Sequence, residues 1–243
     1  MTAHSEAWKS ESLVRAYLEG IRGAIPLAAE QIDAMLRLAA AGLAVTRFAD
    51  LGCGDGMLAR TILDAYPQAH ATLVDFSEPM LRQAREQLKP CGARSAIVFG
   101  DLADPAWVDA VEQRGPFELV VSGYAIHHLA DERKRALYGE VLHLLTPGGL
   151  FVNIDHVKSP TTQLKSVFEE LLIDSFHAYQ TSIGSGKTRE EVAVEYVRSP
   201  DRDEDILAPV EDQCLWLREL GFEDVDCYFK LFELAVFGGR RPR

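Results

Sequence analysis

The sequence predicts an α/β fold in which a mostly parallel sheet carries helices on both faces. Short apolar runs alternate with amphipathic stretches along residues 45–156. Strands that alternate with helices in this way are joined by crossovers, so they lie parallel to one another. Two apolar runs near the C-terminus, Val225–Phe229 and Leu231–Phe237, have almost no chain between them. We therefore expect these two runs to form an antiparallel hairpin.

The predicted elements follow one another in a regular order. Strands are expected at "VTRFADL" (45–51), "ATLVDF" (71–76), "SAIVFGD" (95–101), "FELVVSG" (117–123) and "LFVNIDH" (150–156). Helices are expected at "MLARTILDAYP" (57–67), "SEPMLRQAREQLK" (77–89), "DERKRALYGEVLHLLTPGG" (131–149) and "PVEDQCLWLRELGF" (209–222). Ser77 is expected to cap the second of these helices, with Pro79 in its first turn. Residues from about 158 to 208 have helical spacing without a strand pattern, which predicts an insertion over one end of the sheet.

Composition narrows the class of protein. The chain has 243 residues, 47% of them hydrophobic, and a formal net charge of −12. An acidic surface repels phosphate backbones, so no nucleic-acid partner is expected. No apolar run is long enough to cross a bilayer and the N-terminus lacks a signal-peptide pattern, so we expect a cytoplasmic location and no membrane partner. The four cysteines have no C-x-x-C spacing, which predicts reduced thiols, and no metal site is expected.

The stretch "DLGCGDG" (50–56) carries the first functional signal. It follows a strand and precedes a helix, and its alternate glycines leave no Cβ between the backbone N–H groups and a ligand. The spacing is G-x-G-x-G, since Met57 occupies the third glycine position of the dinucleotide motif. Asp75 ends the next strand, where a carboxylate can accept hydrogen bonds from both hydroxyls of a ribose. With "GDL" (100–102) at the third strand end, the pattern suits a nucleoside without a pyrophosphate.

Five segments resemble those of the class I S-adenosylmethionine-dependent methyltransferases, in the order and spacing of that family. They are "DLGCGDG", "LVDFSEPML", "GDLAD", "FELVVSGYAIHHL" and "LLTPGGLFVNID". The resemblance implies a Rossmann-like methyltransferase fold, which is a mostly parallel seven-stranded sheet with a reversed last strand and helices on both faces. It also implies a single domain over residues 1–243, with an N-terminal helical segment at about 1–44 and a helical lid insertion at about 158–208.

The same resemblance implies S-adenosylmethionine as the cofactor and assigns its contacts. The expected cofactor-binding residues are Asp50, Gly52, Cys53, Gly54, Asp75, Phe76, Met80, Asp101, Leu102, Ser122 and Gly123. Among them, Asp50 and two glycines of the turn hold the methionine part, Asp75 holds the ribose, and Asp101 holds the adenine amino group. The purine lies between Phe76 and Leu102, and backbone at the end of the fourth strand faces the sulfonium. Each of the three carboxylates has an alternative interpretation as a cap or turn residue.

The residues after the fourth strand, "SGYAIHHLADE", are where the family places groups that touch the acceptor. By resemblance the reaction is methyl transfer to a small-molecule acceptor by in-line displacement, in which alignment and exclusion of water supply much of the rate. Tyr124, His127 and His128 are therefore the candidate catalytic residues, since histidine can take a proton near neutral pH. The alternative is that "IHHL" only packs, with one histidine bonded inside and the other at the surface. His156, just past the fifth strand, is expected to line the acceptor pocket.

Two further readings of the function remain. "RGAIP" (22–26) and "EYVRSPDRDED" (195–205) resemble the carboxy-S-adenosylmethionine synthase group, with Arg22 and Arg198 as candidate substrate-binding residues. In that group an arginine of the second segment secures the extra carboxylate. However, Ala28 occupies a position where that group has tyrosine, and "GYAIHH" lacks the group's asparagine. A non-catalytic methyltransferase-like binding module is the second alternative. Assembly of two copies into a homodimer is left open.

Overall fold

The computed structural model describes Ser10, Glu11, Val14 and residues 22–197 and 205–243. The strands are β1 (Arg47–Leu51), β2 (His70–Asp75), β3 (Ser95–Phe99), β4 (Phe117–Gly123), β5 (Leu145–His156), β6 (Glu223–Leu231) and β7 (Leu234–Arg240). Within the described residues they form one seven-stranded sheet in the order β3-β2-β1-β4-β5-β7-β6. Neighbouring strands are parallel, except that β7 runs antiparallel to both β5 and β6. The predicted parallel sheet with a reversed last strand is confirmed.

Helices and short turns connect the strands. The helices are α1 (Ala28–Ala40), α2 (Met57–Ala65), α3 (Glu78–Gln87), α4 (Trp107–Val111), α5 (Asp131–Leu144), α6 (Thr162–Ser182), α7 (Arg189–Val192) and α8 (Val210–Leu220). Turns of 3-10 helix lie at Arg22–Ala24, Lys89–Arg94, Glu112–Arg114 and Ile126–His128, and the π-helical turn Ala193–Val197 follows α7. As predicted, Ser77 caps α3, because its Oγ accepts the N–H of Met80 at 3.3 Å. None of the helices in the described part of the chain is long and apolar enough to span a bilayer.

The sheet is covered on both faces, as predicted. Successive residues of a strand point to opposite sides of a sheet, and β4 shows the consequence. Val120 enters a core shared with α5 and α8, whereas Val121 enters a second core shared with α1, α2 and α3. Phe151 and Val152 of β5 divide in the same way. The central residues of β4 are therefore apolar on both faces, and buried polar residues such as Ser122 and Asp155 lie towards the carboxyl ends of β4 and β5.

The boundary between α5 and β5 differs from the prediction. The helix was expected to continue to Gly149, but it ends at Leu144 and the strand begins at the next residue. The reason is Pro147, because the residue before a proline is pushed away from the helical conformation. Gly148 then adopts a φ of +77°, which a residue with a side chain rarely adopts.

The region between β5 and α8 forms a layer of its own. Its described helices, α6 and α7, pack with Ala24 and Leu234 into a third apolar core. Ser175 of α6 donates a hydrogen bond from Oγ to the carbonyl oxygen of Ala24 at 2.7 Å. The insertion is thus joined to the segment that precedes α1, and both lie outside the alternating core of strands and helices.

Candidate functional site

The glycine turn after β1 brings the backbone of Gly52 close to Ala125, which follows β4. Gly52, Gly54 and Gly56 have φ values of +64°, +54° and +84°, so the turn uses the left-handed region at each of them. A Cβ on Gly52 would lie 2.2 Å from the Cβ of Ala125, a distance that no real contact reaches. The sequence therefore needs glycine here for two separate reasons, backbone conformation and space. The turn leads directly into α2 at Met57.

Asp50 is a buried carboxylate with an unused oxygen. Its Oδ2 accepts the N–H of Ala59 at 3.1 Å, while its Oδ1 has no hydrogen-bond partner among the described residues. Burial raises the pKa of Asp50 to about 7; the N–H of Ala59 opposes the rise, and the charges of Asp75 and Asp55 add to it. The residue lines a cavity, here called the turn cavity, together with Gly52, Cys53, Asp55, Gly123 and Tyr124. An acceptor atom without a partner at such a place fits a cationic group such as an ammonium.

Asp75 at the end of β2 holds the glycine turn in place. Its Oδ2 accepts the N–H of Gly54 at 2.9 Å, and its Oδ1 accepts the N–H of Ser77 at 2.7 Å. Burial raises the pKa of Asp75, and the hydrogen bonds from Ser77 and Gly54 oppose that rise. Each carboxylate oxygen has a second lone pair, so the two backbone bonds leave acceptor capacity for a ligand hydroxyl.

A second cavity, the edge cavity, adjoins the turn cavity. The edge cavity is lined by Gly52, Asp75, Phe76, Ser77, Met80, Gly100, Asp101, Leu102, Tyr124, Ala125, His128 and Leu129. It therefore contains five of the predicted cofactor contacts beyond the glycine turn, on the ends of β2 and β3. Gly52 and Tyr124 line both cavities. Together the two cavities follow the carboxyl edge of the sheet from β4 to β3, which is where ligands bind in sheets of this kind.

Two of the predicted cofactor residues, Ser122 and Cys53, have side chains that are buried in the protein. Ser122 is completely buried, and its hydroxyl donates to the carbonyl oxygen of Leu51 at 2.7 Å, so its side chain lines neither cavity. Cys53 is buried beside the turn, and burial raises the pKa of its thiol well above the usual value. The thiol is therefore protonated and does not act as a nucleophile.

Tyr124 follows β4 in a strained conformation. Its φ of +52° is uncommon for a residue with a side chain, and such strain concentrates at functional sites. Its N–H donates to the carbonyl oxygen of Ile154 at 2.8 Å, and its hydroxyl donates to Gln31 Oε1 at 2.6 Å. These bonds link β4, β5 and α1 around the point where the two cavities meet.

Three histidines converge at the ends of β4 and β5. His127 and His128 belong to the short turn after β4, and His156 is the last residue of β5. His127 Nδ1 lies 2.6 Å from Asp155 Oδ1, and His156 Nε2 lies 2.7 Å from Glu233 Oε2. The structure thus brings together all three predicted histidines in one group, which we call the histidine cluster.

Asp205 stands at the centre of the histidine cluster. Its Oδ1 lies 3.2 Å from His128 Nδ1 and 3.6 Å from His127 Nε2, and its Oδ2 lies 3.7 Å from His156 Nδ1. Burial on its own would raise the pKa of Asp205, but the three histidines more than offset it and hold that pKa well below its usual range. Asp205 is therefore ionised at neutral pH.

A larger cavity, the outer cavity, lies beyond the histidine cluster and encloses about 880 Å³. His156, Lys158, Lys165, Phe168, Glu169, Asp205 and Glu233 are among the residues that line it. The outer cavity is bounded on one side by α6, the helix of the insertion. His128 faces the edge cavity, whereas His156 and Asp205 face the outer cavity. The histidine cluster is thus the wall between the two.

The two predicted substrate arginines are not placed by the structure. Arg198 lies outside the described residues. Arg22 begins the turn Arg22–Ala24, but the position of its side chain is likewise outside what the structure describes. The prediction that either arginine binds an acceptor stays a prediction.

Sequence reasoning missed the acidic partners of the histidines. Asp155, Asp205 and Glu233 were not among the expected site residues, although "DH" (155–156) places one of them beside a predicted site histidine. Glu233 lies in the turn of the β6–β7 hairpin, and Asp205 in a loop before α8. Glu233 carries no recognisable motif. Asp205 ends the segment "EYVRSPDRDED" (195–205), but the resemblance of that segment pointed to Arg198 and not to Asp205.

Comparison with known proteins identifies the type of domain that carries this site. Residues 48–149 match the family model described as a methyltransferase domain. A demethylmenaquinone methyltransferase from Leptospira interrogans is 34% identical over 113 residues, which cover 46% of this chain and 44% of that protein. A carboxy-S-adenosyl-L-methionine synthase from Aeromonas hydrophila is 26% identical over 235 residues, which cover 93% of this chain and 86% of that protein. The chain thus spans less than half the length of the Leptospira interrogans methyltransferase, the more similar of the two in percentage identity.

Solved structures agree on the fold. Phosphoethanolamine N-methyltransferase 2 from Haemonchus contortus superposes with a TM-score of 0.65 at 16% identity, covering 100% of this chain and 61% of that one. A putative methyltransferase from Haloferax volcanii, solved with the Trm112 activator, superposes with a TM-score of 0.59 at 15% identity over the whole of both chains.

The fold, the glycine turn and the match over residues 48–149 together show a methyltransferase domain with the fold of the class I S-adenosylmethionine-dependent enzymes. S-adenosylmethionine is the cofactor of that domain class. The residues present fit it: the partnerless oxygen of Asp50 suits its ammonium group, and the space that glycine leaves at position 52 lies between the two cavities. The expectation of this family and cofactor is confirmed.

Proposed function

We propose that this chain transfers the methyl group of S-adenosylmethionine to a small polar molecule that enters through the outer cavity. The observation that carries the proposal is the order of the cavities along the carboxyl edge of the sheet. The turn and edge cavities contain nine of the eleven expected cofactor contacts, all but Gly54 and Ser122, and the outer cavity lies past the histidine cluster. A donor site and an acceptor site are thus adjacent and separated by titratable side chains.

Each part of the cofactor has a candidate partner in this arrangement. Asp50 would hold the ammonium, Asp75 the ribose hydroxyls and Asp101 the adenine amino group. Asp101 already accepts the N–H of Ala103 at 2.9 Å, which fixes its carboxylate at the mouth of the edge cavity. When bound, S-adenosylmethionine supplies a methyl group on a positively charged sulfur. The remaining task of the protein is to place the acceptor in line and to exclude water.

Tyr124 and His128 are the proposed residues between donor and acceptor. Both line the edge cavity, and Tyr124 also lines the turn cavity. His128 can take a proton from an acceptor that must lose one, because its imidazole faces the edge cavity while Asp205 lies 3.2 Å from its Nδ1. His127 is more deeply buried and bonded to Asp155, so it is proposed to position its neighbour.

The acceptor is proposed to be small and polar. Lys158 and Lys165 line the outer cavity together with three carboxylates and a histidine, so the cavity offers both cationic and anionic partners. The net charge of −12 weighs against a nucleic-acid acceptor. All four cysteines are unpaired, which supports a reducing compartment, and we propose the cytoplasm as the location.

The insertion and the N-terminal segment are proposed to act as a lid. The described parts of residues 158–208 and 8–28 meet at Ser175 and Ala24, above the outer cavity that α6 helps to line. Both parts belong to the proposed single domain over 1–243. A lid of this kind would close over the acceptor and keep water away from the reacting atoms.

Binding and product analysis test the proposed function. Isothermal titration of the full chain with S-adenosylhomocysteine should give one site per chain, and Asp75→Ala should weaken it while the exposed Asp109→Ala leaves it unchanged. Incubation with S-adenosylmethionine and a panel of small acids, phenols and amines should yield a product one methyl group heavier. Wild-type protein that binds neither cofactor would refute the proposal. Binding without any product across acceptor classes would support the non-catalytic module instead.

A carboxy-S-adenosylmethionine synthase-like activity is the second candidate. It is supported by the alignment with the Aeromonas hydrophila synthase, which extends over 93% of this chain and so includes the insertion. Mass spectrometry of the ligand that copurifies with the protein separates the two candidates. A carboxylated cofactor would favour the synthase-like activity, whereas S-adenosylmethionine or S-adenosylhomocysteine would favour methyl transfer.

A further inference from the structure

We propose that His127, His128 and Asp205 bind a divalent transition-metal ion, with His156 beside it, in the wall between the edge and outer cavities. The three ligand atoms lie within 4.8 Å of one another. Nitrogen and oxygen ligands at about 2.0–2.1 Å from a metal are separated by roughly 2.9–3.4 Å. Asp205 Oδ1 lies 3.2 Å from His128 Nδ1 and 3.6 Å from His127 Nε2, so these two distances are within a few tenths of an ångström of that range. The two histidine nitrogens lie within 4.8 Å of each other, and rotation of the rings brings them closer when an ion binds.

The outer nitrogens of two histidines are fixed by buried carboxylates. An ionised carboxylate only accepts hydrogen bonds, so His127 Nδ1 donates to Asp155 Oδ1 at 2.6 Å and His156 Nε2 donates to Glu233 Oε2 at 2.7 Å. Metal-binding histidines characteristically donate their second ring N–H to a carboxylate in this way. The chain therefore supplies both the ligands and the groups that orient them.

The inner ring nitrogens of His127 and His156 both approach Asp205. His127 Nε2 lies 3.6 Å from Asp205 Oδ1, and His156 Nδ1 lies 3.7 Å from Asp205 Oδ2. Because the outer nitrogen of each ring is bonded to Asp155 or Glu233, the inner nitrogen is the one placed to bind a metal ion. In the competing arrangement these inner nitrogens carry protons and form ion pairs with Asp205.

The surroundings of the proposed site are acidic. Asp155 and Glu233 are 1% and 2% exposed, and the side chain of Asp205 is 11% exposed. The histidines bonded to these carboxylates offset part of the negative charge. A divalent ion bound to Asp205 would offset more of it at one point.

The loops that carry the site are tied together by backbone hydrogen bonds. The N–H of Ile206 donates to the carbonyl oxygen of His127 at 3.1 Å, which holds Asp205 against the histidine turn. The N–H of Val157 donates to the carbonyl oxygen of Glu233 at 2.7 Å, which holds the β6–β7 turn against the end of β5. The ligands are thus positioned before any ion binds, and such positioning favours tight binding.

The ligand set indicates the type of metal. Two imidazoles and one carboxylate, with no thiolate, suit Zn²⁺ and other first-row transition metals better than Mg²⁺ or Ca²⁺. Three protein ligands also leave a coordination position open, as in sites that bind substrate. Because His128 faces the edge cavity and Asp205 faces the outer cavity, that position would take an oxygen atom of the acceptor. This role, unlike the metal site itself, rests on the proposed function, and in it the ion replaces His128 as the group that acts on the acceptor, because an imidazole bound to a metal through Nδ1 keeps its proton at Nε2.

Metal titration of the full, untagged chain tests the site. After dialysis against a chelator and then buffer, we expect one Zn²⁺ per chain by isothermal titration, and Co²⁺ should develop d–d absorption bands of a nitrogen–oxygen site. Mg²⁺ should not compete. His128→Ala and Asp205→Asn should each weaken Zn²⁺ binding at least tenfold. Asp155→Asn should weaken it about 10–100-fold through the orientation of His127. The exposed His143→Ala is the control and should bind Zn²⁺ as the wild type does.

Circular dichroism of each variant separates loss of the site from loss of the fold. The site is refuted if folded wild-type protein binds no Zn²⁺, or if folded Asp205→Asn and His128→Ala bind as tightly as His143→Ala does; the cluster is then an ion-pair network only. Titration with S-adenosylhomocysteine on the same samples keeps the two proposals apart. If the protein binds Zn²⁺ but not S-adenosylhomocysteine, the proposed function is refuted and the metal site is supported. If it binds S-adenosylhomocysteine but not Zn²⁺, the metal site is refuted and the proposed function is supported.

Discussion

Cofactor affinity should depend on pH through Asp50. Burial raises the pKa of this carboxyl to about 7, so near pH 6 most molecules without ligand carry a neutral Asp50. In the proposed contact, the ammonium of the cofactor would stabilise the ionised carboxylate, because an opposite charge at hydrogen-bond distance lowers the pKa of an acid. Binding below pH 7 must therefore remove a proton from Asp50, and that step weakens the apparent affinity.

The size of the effect follows from the pKa. With a pKa of about 7, the ionised fraction falls about tenfold between pH 8 and pH 6, which corresponds to about 1.4 kcal/mol in binding free energy. Asp50→Asn should abolish this pH dependence. It should also weaken binding at pH 8, since a hydrogen bond between charged groups contributes about 1.5–3 kcal/mol.

Calorimetry measures both consequences. S-adenosylhomocysteine is titrated into the protein at pH 6, 7 and 8, each in two buffers with different ionisation enthalpies, so that proton release is counted directly. Close to one proton should be released at pH 6 and almost none at pH 8. The reasoning is refuted if the wild-type affinity is the same at pH 6 and pH 8, or if Asp50→Asn retains the slope, because another group would then be titrating.

Five further outcomes are expected. In the ligand-free protein, the pKa of Asp50 is about 7 against an ordinary value of 3.8, so the stability that Asp50 contributes is present below pH 3.8 and is lost as the pH rises to 7. Chemical denaturation of Asp50→Asn should accordingly show a loss between pH 5 and pH 7 that is smaller by about 2 kcal/mol than in the wild type. Asp75→Ala should weaken S-adenosylhomocysteine binding by about 2–4 kcal/mol and also lower Tm, because Asp75 anchors Gly54; equal affinity would place the ribose elsewhere. Gly52→Ala should be more destabilising by about 1–3 kcal/mol than Gly42→Ala, since both have positive φ but only Gly52 meets Ala125; equal losses would contradict this. His128→Ala should lower turnover by about two to four powers of ten with cofactor affinity nearly intact, whereas reduced stability with normal turnover per folded molecule would mean that His128 only packs. Limited proteolysis near Ser182–Lys187 should be slower with S-adenosylhomocysteine, and equal cutting in both states would count against a lid.

The core of the fold could be predicted because its signals are local. Each strand of the parallel core is a short apolar run, and the helix cap at Ser77 and the turn at "DLGCGDG" depend on neighbours within a few residues. The carboxylates Asp50 and Asp75 could be found because they end strands at fixed spacing from the turn. The reversed last strand was predictable for a related reason, since a short connection leaves a chain no geometry but an antiparallel hairpin.

The histidine cluster could not be predicted as a site because its contacts are not local. His156 and Glu233 are 77 positions apart, and nothing in the sequence around Glu233 distinguishes it from any acidic residue in a hairpin turn. Asp205 was part of "DRDED" (201–205), which by itself reads as an exposed acidic loop. Its burial depends on the contact of Ile206 with the backbone of His127. Sequence analysis therefore located the histidines but could not supply the partners that define their chemistry.

The topology explains why the edge cavity, the histidine cluster and the outer cavity meet at one edge of the sheet. β4 and β5 are parallel, so the turn that bears His127 and His128 and the strand end that bears His156 lie side by side. β6 reaches the same edge, and because β7 starts there and runs back along β5, His156 pairs with Leu234 in register. The hairpin turn between β6 and β7 thereby places Glu233 next to His156. A parallel last strand would start at the opposite edge, and its preceding turn could not supply this carboxylate. The reversed strand that characterises the fold is thus also what completes the acidic surroundings of the histidines in this chain.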